Sequence, residues 1–300
     1  MALRGTDVVA AESPLMRTPL DELVDLLDLE QIEVNIFRGR SPEERQQRVF
    51  GGQVAGQALV AAGRTVPIDR PVHSLHAYFL RPGDPAVPIV YTVDRLRDGR
   101  SFTTRRVVAV QHGEAIFNLS ASFQVREEGL DHEWDAPPAP DPESLPTMAE
   151  RMKAYAEKVP DFVLRPRPID VRHVDDPPWI ARLSGKGHPQ QRVWMRADGR
   201  LPDEELVHVC ALTYASDMTL LDSIMLPHEV SWEQLRGASL DHAMWFHRPF
   251  RADEWFLYVQ ESPSAYGARG LARGLIYDRE GQLIVSVVQE GLMRLVRSRR

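Results

Sequence analysis

Few residues in this chain of 300 combine a reactive side chain with a position that the local pattern turns inward. Leu206, Cys210, Thr213, Asp217, Leu220 and Ile224 recur at spacings of three and four, which predicts a helix over 203–221 with one stripe facing a sheet. Asp217 lies inside that stripe. Burying an ionised carboxylate without partners is very unfavourable, so it must be hydrogen-bonded, protonated or beside a solvated cavity. Two readings stand side by side here, a satisfied aspartate tying helix to sheet and a catalytic group. In the last apolar run, alternation puts Leu283, Val285, Val287 and Gln289 on one face of a strand. The Gln289 amide can there orient a water through its oxygen or donate through its NH₂, although such a glutamine is more often simply a satisfied core residue.

Other reactive residues carry weaker signals. Gly237-Ala-Ser-Leu-Asp241 misses the Gly-x-Ser-x-Gly nucleophile elbow at its final position, and His242-Ala-Met-Trp-Phe246 after it reads as strand, not helix. Ser239 is therefore a hydrogen-bonding residue at the start of a strand, not a covalent nucleophile. Cys210 falls in the apolar stripe, where free cysteine behaves as a small core residue. His73, His76, His242 and His247 lack metal-ligand spacing and read as structural or cleft-lining, so no metal site is expected. Gly51, Gly52 and Gly56 open a helix at 50–62, whose free N-terminal NH groups can hold an oxyanion or a phosphate, or whose glycines can serve tight packing alone.

The elements that must position these groups occur twice. A helix at 50–62 precedes strands at 72–80, 89–96, 102–111 and 115–126. The helix at 203–221 precedes strands at 239–246, 255–261, 268–277 and 283–296. Ser74-Leu-His-Ala-Tyr-Phe-Leu-Arg-Pro82 matches Ser239-Leu-Asp-His-Ala-Met-Trp-Phe-His-Arg-Pro249 with small insertions, and Gln124 and Gln289 each fall near the end of the final strand. Such self-similarity predicts an internal duplication of two α+β units, at 1–130 and 176–300. The stretch between, 131–175, is rich in proline and acid and reads as a linker, with a short helix at 147–159 marked by Met148, Met152, Tyr155 and Val159.

Composition narrows the function classes. Apolar residues at 43% and charged residues at 26% are ordinary for a soluble globular protein. The net charge of -7 would repel a phosphate backbone, which argues against nucleic acid. A single cysteine suits a reducing cytosol and rules out an internal disulfide. The first 30 residues are too acidic for a signal peptide, and no apolar run approaches the roughly 20 residues of a membrane span. A cytoplasmic protein without membrane insertion is the expectation.

Several motifs together resemble the type II acyl-CoA thioesterases: Ile36-Phe-Arg-Gly39, Arg48-Val-Phe-Gly-Gly-Gln-Val54, His73 to Asp84, Arg97-Asp-Gly-Arg-Ser-Phe102, Tyr214-Ala-Ser-Asp217, Asp241 to Pro249 and Val288-Gln-Glu-Gly291. The resemblance runs from about Leu20 to Arg294. It implies a double hotdog, two fused helix-on-antiparallel-sheet repeats, that hydrolyses fatty acyl-CoA to fatty acid and CoA by direct attack of an activated water, with no cofactor beyond the CoA of the substrate. Carried over by position, Asp217, Ser239 and Gln289 hold that water, Ser239 standing where threonine is commoner. Backbone near Gly52 and Gln53 would meet the oxyanion. The first half has no acid at the place of Asp217, so one active site per chain is expected, in a protein that associates with copies of itself. Arg97, Arg100, Arg105, Arg269 and Arg273 stay unassigned between CoA phosphates and solvated strand positions. A hotdog dehydratase or hydratase, and a non-catalytic acyl-CoA-binding protein, are the competing readings.

Overall fold

A computed structural model describes residues 17–42, 48–153, 166–177, 180–181, 190–228, 230 and 232–296. The first half contributes strands β1 (Glu30–Glu33), β2 (Ile36–Gly39), β3 (Val72–Phe79), β4 (Ile89–Asp98), β5 (Phe102–Gln111) and β6 (Glu114–Gln124). The second contributes β7 (Ile169–His173), β8 (Gln190–Ala197), β9 (Leu235–Ser239), β10 (Asp241–Phe246), β11 (Phe256–Tyr266), β12 (Arg269–Asp278) and β13 (Leu283–Leu295). They join into one antiparallel sheet in the order β1-β2-β4-β5-β6-β3-β10-β13-β12-β11-β8-β7, with β9 added alongside the end of β13. The order reads alike outward in both directions from the β3–β10 seam. Asp241 pairs with Tyr78 there and Met244 with Leu75.

Side-chain parity runs unbroken across that seam. Leu75, Ala77, His242 and Met244 are buried on the same face, since directly paired residues point the same way. Helices α2 (Gly51–Gly63) and α4 (Glu205–Ser216) cover this face, one per half, and pack on each other. The short helix α1 (Pro19–Leu27), capped by Thr18 and Asp21, buries Leu20, Leu23 and Leu27 in the same core. Residues 52–62 of α2 are buried all round. Most of its residues are Gly, Ala, Val or Leu, and its two polar ones, Gln53 and Gln57, are hydrogen-bonded inside the fold. A methyl group on Gly52 would strike the Tyr214 carbonyl, and one on Gly56 would come within 3.2 Å of the Cys210 carbonyl. The glycines therefore set how closely the two helices meet. This is the helix-on-sheet repeat, twice over, of a double hotdog.

The duplication aligns differently from its expected form. Phe79-Leu-Arg-Pro82 and Phe246-His-Arg-Pro249 align without a gap, which makes Leu75 the counterpart of His242. Pairing His76 with His242 instead fails on parity, because His76 is exposed and His242 buried. The same register, carried through Leu75–Ala121 and β10–β13, makes Ala121 and not Gln124 the counterpart of Gln289. It also superposes two fully buried tyrosines, Tyr91 and Tyr258, each of which bonds its own half's helix.

Other expectations shift at their edges. The second long helix stops at Ser216 and is followed by a 3₁₀ segment, Leu220–Met225, so Leu220 and Ile224 reach the core from that tighter segment. Ser239 ends β9 and does not begin a strand. Of the helix expected at 147–159, α3 (Met148–Met152) is present, capped by Thr147 and Glu150; Tyr155 and Val159 lie outside the described residues. Strand β7 lies within the proline-rich stretch. Part of that stretch is a strap over the outer face of the second half. The Trp194 and Trp255 indoles donate to the Pro140 carbonyl at 2.9 Å and to Glu143 at 2.8 Å, and Ala136, Ala139 and Leu145 pack on both rings' cluster.

Candidate active site

Asp217 occupies the C-cap of α4, where its carboxylate leaves the helix and turns toward the other half. Gln289, fully buried on β13, donates from Nε2 to Asp217 Oδ1 at 2.6 Å. Ser239 Oγ, at the end of β9, donates to the same oxygen at 3.3 Å. The third donor is the backbone NH of Gly52, which belongs to the first half. The three residues singled out from sequence thus converge on one carboxylate.

The position of Gly52 is set by the start of α2. The first bond of that helix runs from Val54 N–H to the Phe50 carbonyl at 3.3 Å, so the NH groups of residues 51–53 lie outside the ladder and are available to an anion. Asp217 takes one of them. A side chain on Gly51 would place its Cβ 2.6 Å from Asp217 Oδ2, so bare backbone is needed for this approach. The Gln53 side chain is turned away into the fold, donating to the Arg40 carbonyl and to Ser41 Oγ. Its backbone NH is the part left at the open start of the helix.

Burial and hydrogen bonding oppose each other at Asp217. Burial raises its pKa to about 6, and donation from Gln289, Ser239 and Gly52 works in the other direction. Such a carboxylate is largely ionised at neutral pH and still basic enough to take a proton. Phe50 and Tyr214 lie edge to face at 5.0 Å beside this point, and Phe79 approaches Gly51 from β3. Half-buried rings flank the carboxylate.

One layer further in lies His242, which the sequence marks only as structural or cleft-lining. It is buried, and its Nε2 lies 2.9 Å from Ser216 Oγ. Burial pushes its pKa down to about 4, leaving a neutral ring at pH 7. The other three histidines singled out from sequence are peripheral: His73 meets Ser122, His247 meets Ser286, and His76 stacks edge-on against Trp245. Cys210 is fully buried and burial pushes its thiol up, the reverse of an activated nucleophile. Among the described residues no three His, Cys, Asp or Glu side chains gather as a metal site.

The corresponding place in the first half holds other chemistry. Arg64 is the C-cap of α2, and Ala121 stands where Gln289 does. Arg105, the cross-strand neighbour of Ala121, is 1% exposed and bonds Thr65 Oγ1 at 2.9 Å, the Thr65 carbonyl at 3.0 Å and Asp98 at 2.6 Å. This buried structural role removes Arg105 from the possible phosphate ligands. Arg269 and Arg273 are spoken for on the surface by Glu290 and Glu261.

Comparison with known proteins identifies the family. A family profile described as acyl-CoA thioesterase matches residues 167–292, and one described as acyl-CoA thioesterase N-terminal domain matches 40–124. The chain is 42% identical over 289 residues to mouse acyl-coenzyme A thioesterase 8, covering 91% of this chain and 89% of that one. It is 49% identical to a solved acyl-CoA thioesterase II of Mycobacterium marinum, with a TM-score of 0.77 over 91% of this chain and 98% of the other. An Alicyclobacillus acidocaldarius protein described as having a hot dog fold superposes with a TM-score of 0.75 at 19% identity, over 92% and 99% of the two chains. That last likeness speaks for the fold alone.

Proposed function

The chain belongs to the acyl-CoA thioesterase family, and on that premise we propose that it releases free CoA from fatty acyl-CoA by direct attack of a water deprotonated by Asp217. The observation that carries this reading is the 2.6 Å bond from Gln289 to a half-buried carboxylate beside the start of α2. Water bound between Asp217 and its neighbours loses a proton to the carboxylate as its oxygen bonds the thioester carbon. The carbonyl π electrons move to oxygen, where an unused NH at the start of α2 stabilises the charge. Since Gly52 already serves Asp217, the donor nearest to hand is the backbone of Gln53. Collapse breaks the C–S bond, and the departing thiolate takes the proton held by Asp217. Atoms and charges balance without any group beyond the substrate's own CoA.

Phe50, Phe79 and Tyr214 are the surfaces proposed to receive the acyl chain, as apolar rings around a few polar groups suit such a ligand. The division into two units is kept as a proposal, with the second, expected at 176–300, extended back to take in β7, which pairs with β8. Self-association and a cytoplasmic location are proposed with it; among the described residues no helix is long and apolar enough to cross a membrane. The test is free-thiol release from a series of acyl-CoAs of increasing length, by wild type and by Asp217→Asn, with the signal of Cys210 subtracted. Turnover confined to wild type supports the scheme. Equal turnover in both removes Asp217 from it.

A further inference from the structure

One step beyond the Ala243–Val288 pair of β10 and β13, His242 stands directly opposite Gln289, and both are buried on the helix-covered face. Cross-strand neighbours on one face have Cβ atoms about 4.5–5.5 Å apart. Two buried polar atoms here have no other partner, His242 Nδ1 and Gln289 Oε1. A buried orphan of this kind calls for an explanation, and these two are complementary: a ring nitrogen able to carry a proton and a carbonyl oxygen able only to accept. We infer that His242 is a positioning residue for hydrolysis, held as its Nδ1–H tautomer by Ser216 and donating to Gln289 Oε1, so that the NH₂ end of the Gln289 amide is the end that faces Asp217.

The chain of donors has a single direction. In this arrangement Ser216 Oγ, 2.9 Å from His242 Nε2, donates a hydrogen bond to it, Nδ1–H points to Gln289 Oε1, and Gln289 Nε2–H bonds Asp217 Oδ1. Ser216 Oγ also lies 2.9 Å from the Thr213 carbonyl. Were its one proton spent there, His242 would carry its hydrogen on Nε2, and a bare Nδ1 would face a carbonyl oxygen. Correcting that clash by turning the amide over would put Oε1 against an ionised Asp217. A charged carboxylate therefore selects the first arrangement. The other titratable group at this helix end, Tyr258, bonds the Ser216 carbonyl, and burial pushes its phenol well above the ordinary value. Asp222, on the 3₁₀ segment that follows, is also raised by burial to about 6 but is bonded by Trp232; of the groups bonded to Gln289, Asp217 is the one whose charge changes near neutral pH.

The duplicated framework argues that this polar pair is not needed for folding. At the equivalent place in the first half the pair is Leu75 and Ala121, both buried and apolar, and the strands pair all the same.

The inference rests on the reading of Asp217 as base, and its first test does not depend on activity. In protein labelled with ¹⁵N-histidine, the ring correlation that disappears in His242→Gln identifies His242. At pH 8 it should show Nδ1 protonated and Nε2 bare; the opposite tautomer would overturn the relay whatever Asp217→Asn does to turnover. In kinetics, His242→Phe should lower kcat at least about tenfold with KM nearly unchanged, and should move the lower midpoint of the pH profile upward because Gln289 is no longer held. His242→Gln, which keeps a donor, should recover most of both. A lower melting temperature with an unmoved pH midpoint in His242→Phe, or a His242→Gln as impaired as His242→Phe, would mark His242 as structural and end the proposal.

Discussion

At the same point of the sheet, the first half pairs Leu75 with Ala121 and the second places His242 opposite Gln289. At the same end of the helix, the first half has Arg64 and the second Asp217. Backbone pairing and burial are alike in the two places, so nothing in the framework demands polar side chains there. What separates them is charge. The second half gathers donors around a carboxylate, and the first fills the corresponding corner with the guanidinium of Arg105 bound to Thr65 and Asp98. One framework thus supports a site and a plug.

Substitutions can break that contrast or sharpen it. Asp217→Asn should have the largest effect, a fall in kcat of about 10²–10⁴-fold, measured as thiol release at pH 8. The same variant should be the more stable protein at that pH. A folded-state pKa of about 6 against an unfolded value near 4 means that the folded chain holds its proton more tightly, so stability falls as pH rises from about 4 to about 6 and stays lower above. Removing the charge recovers on the order of 2–3 kcal/mol, visible as a higher melting temperature; a lower one would contradict the burial argument. Gln289→Ala, which copies the first half, should cost about 10–100-fold, as loss of a bond to a charged group removes about 1.5–3 kcal/mol. In wild type, kcat/KM should climb with pH and level off above about 6, where Asp217 is ionised; a profile flat down to pH 4.5 would exclude a base of that pKa. Ser239→Ala should cost only about threefold to tenfold, because its bond is long at 3.3 Å, and Ser239→Thr should be close to neutral. Gln124→Ala should change nothing measurable. A loss there comparable to Gln289→Ala would overturn the register that equates Gln289 with Ala121.

The inward turn of Gln289 is legible in the sequence because strand alternation is a two-residue period with little latitude. Asp217 is legible as one polar residue in an apolar stripe, although the helix ends just before it. That ending is a matter of local hydrogen bonding that spacing does not encode, and it is what lets the carboxylate reach across to Gly52. Of the strands that the pattern does not reveal, β1, β2, β7, β8 and β9, two have plain reasons. All four residues of β1 are exposed, so it carries no apolar signal, and β7 lies within a proline-rich stretch whose composition masks it. The pairing of Gln124 with Gln289 misleads because both glutamines lie near strand ends, whereas the true counterpart depends on register, which only the paired strands reveal. His242 is legible only as one of four structural or cleft-lining histidines, because Gln289 lies 47 positions away in sequence and meets it only through sheet pairing.

A duplicated chain would be expected to leave its idle copy free to drift, yet here that freedom is uneven. Position 121 tolerates a methyl group where its counterpart needs an amide, but positions 51 and 52 serve the carboxylate of the other copy and admit no side chain. Cutting the chain within the proline-rich stretch would therefore yield two fragments of which neither owns the reaction. Any recovery on mixing would require the two to reassemble along the β3–β10 seam, and so would depend on the concentrations of both.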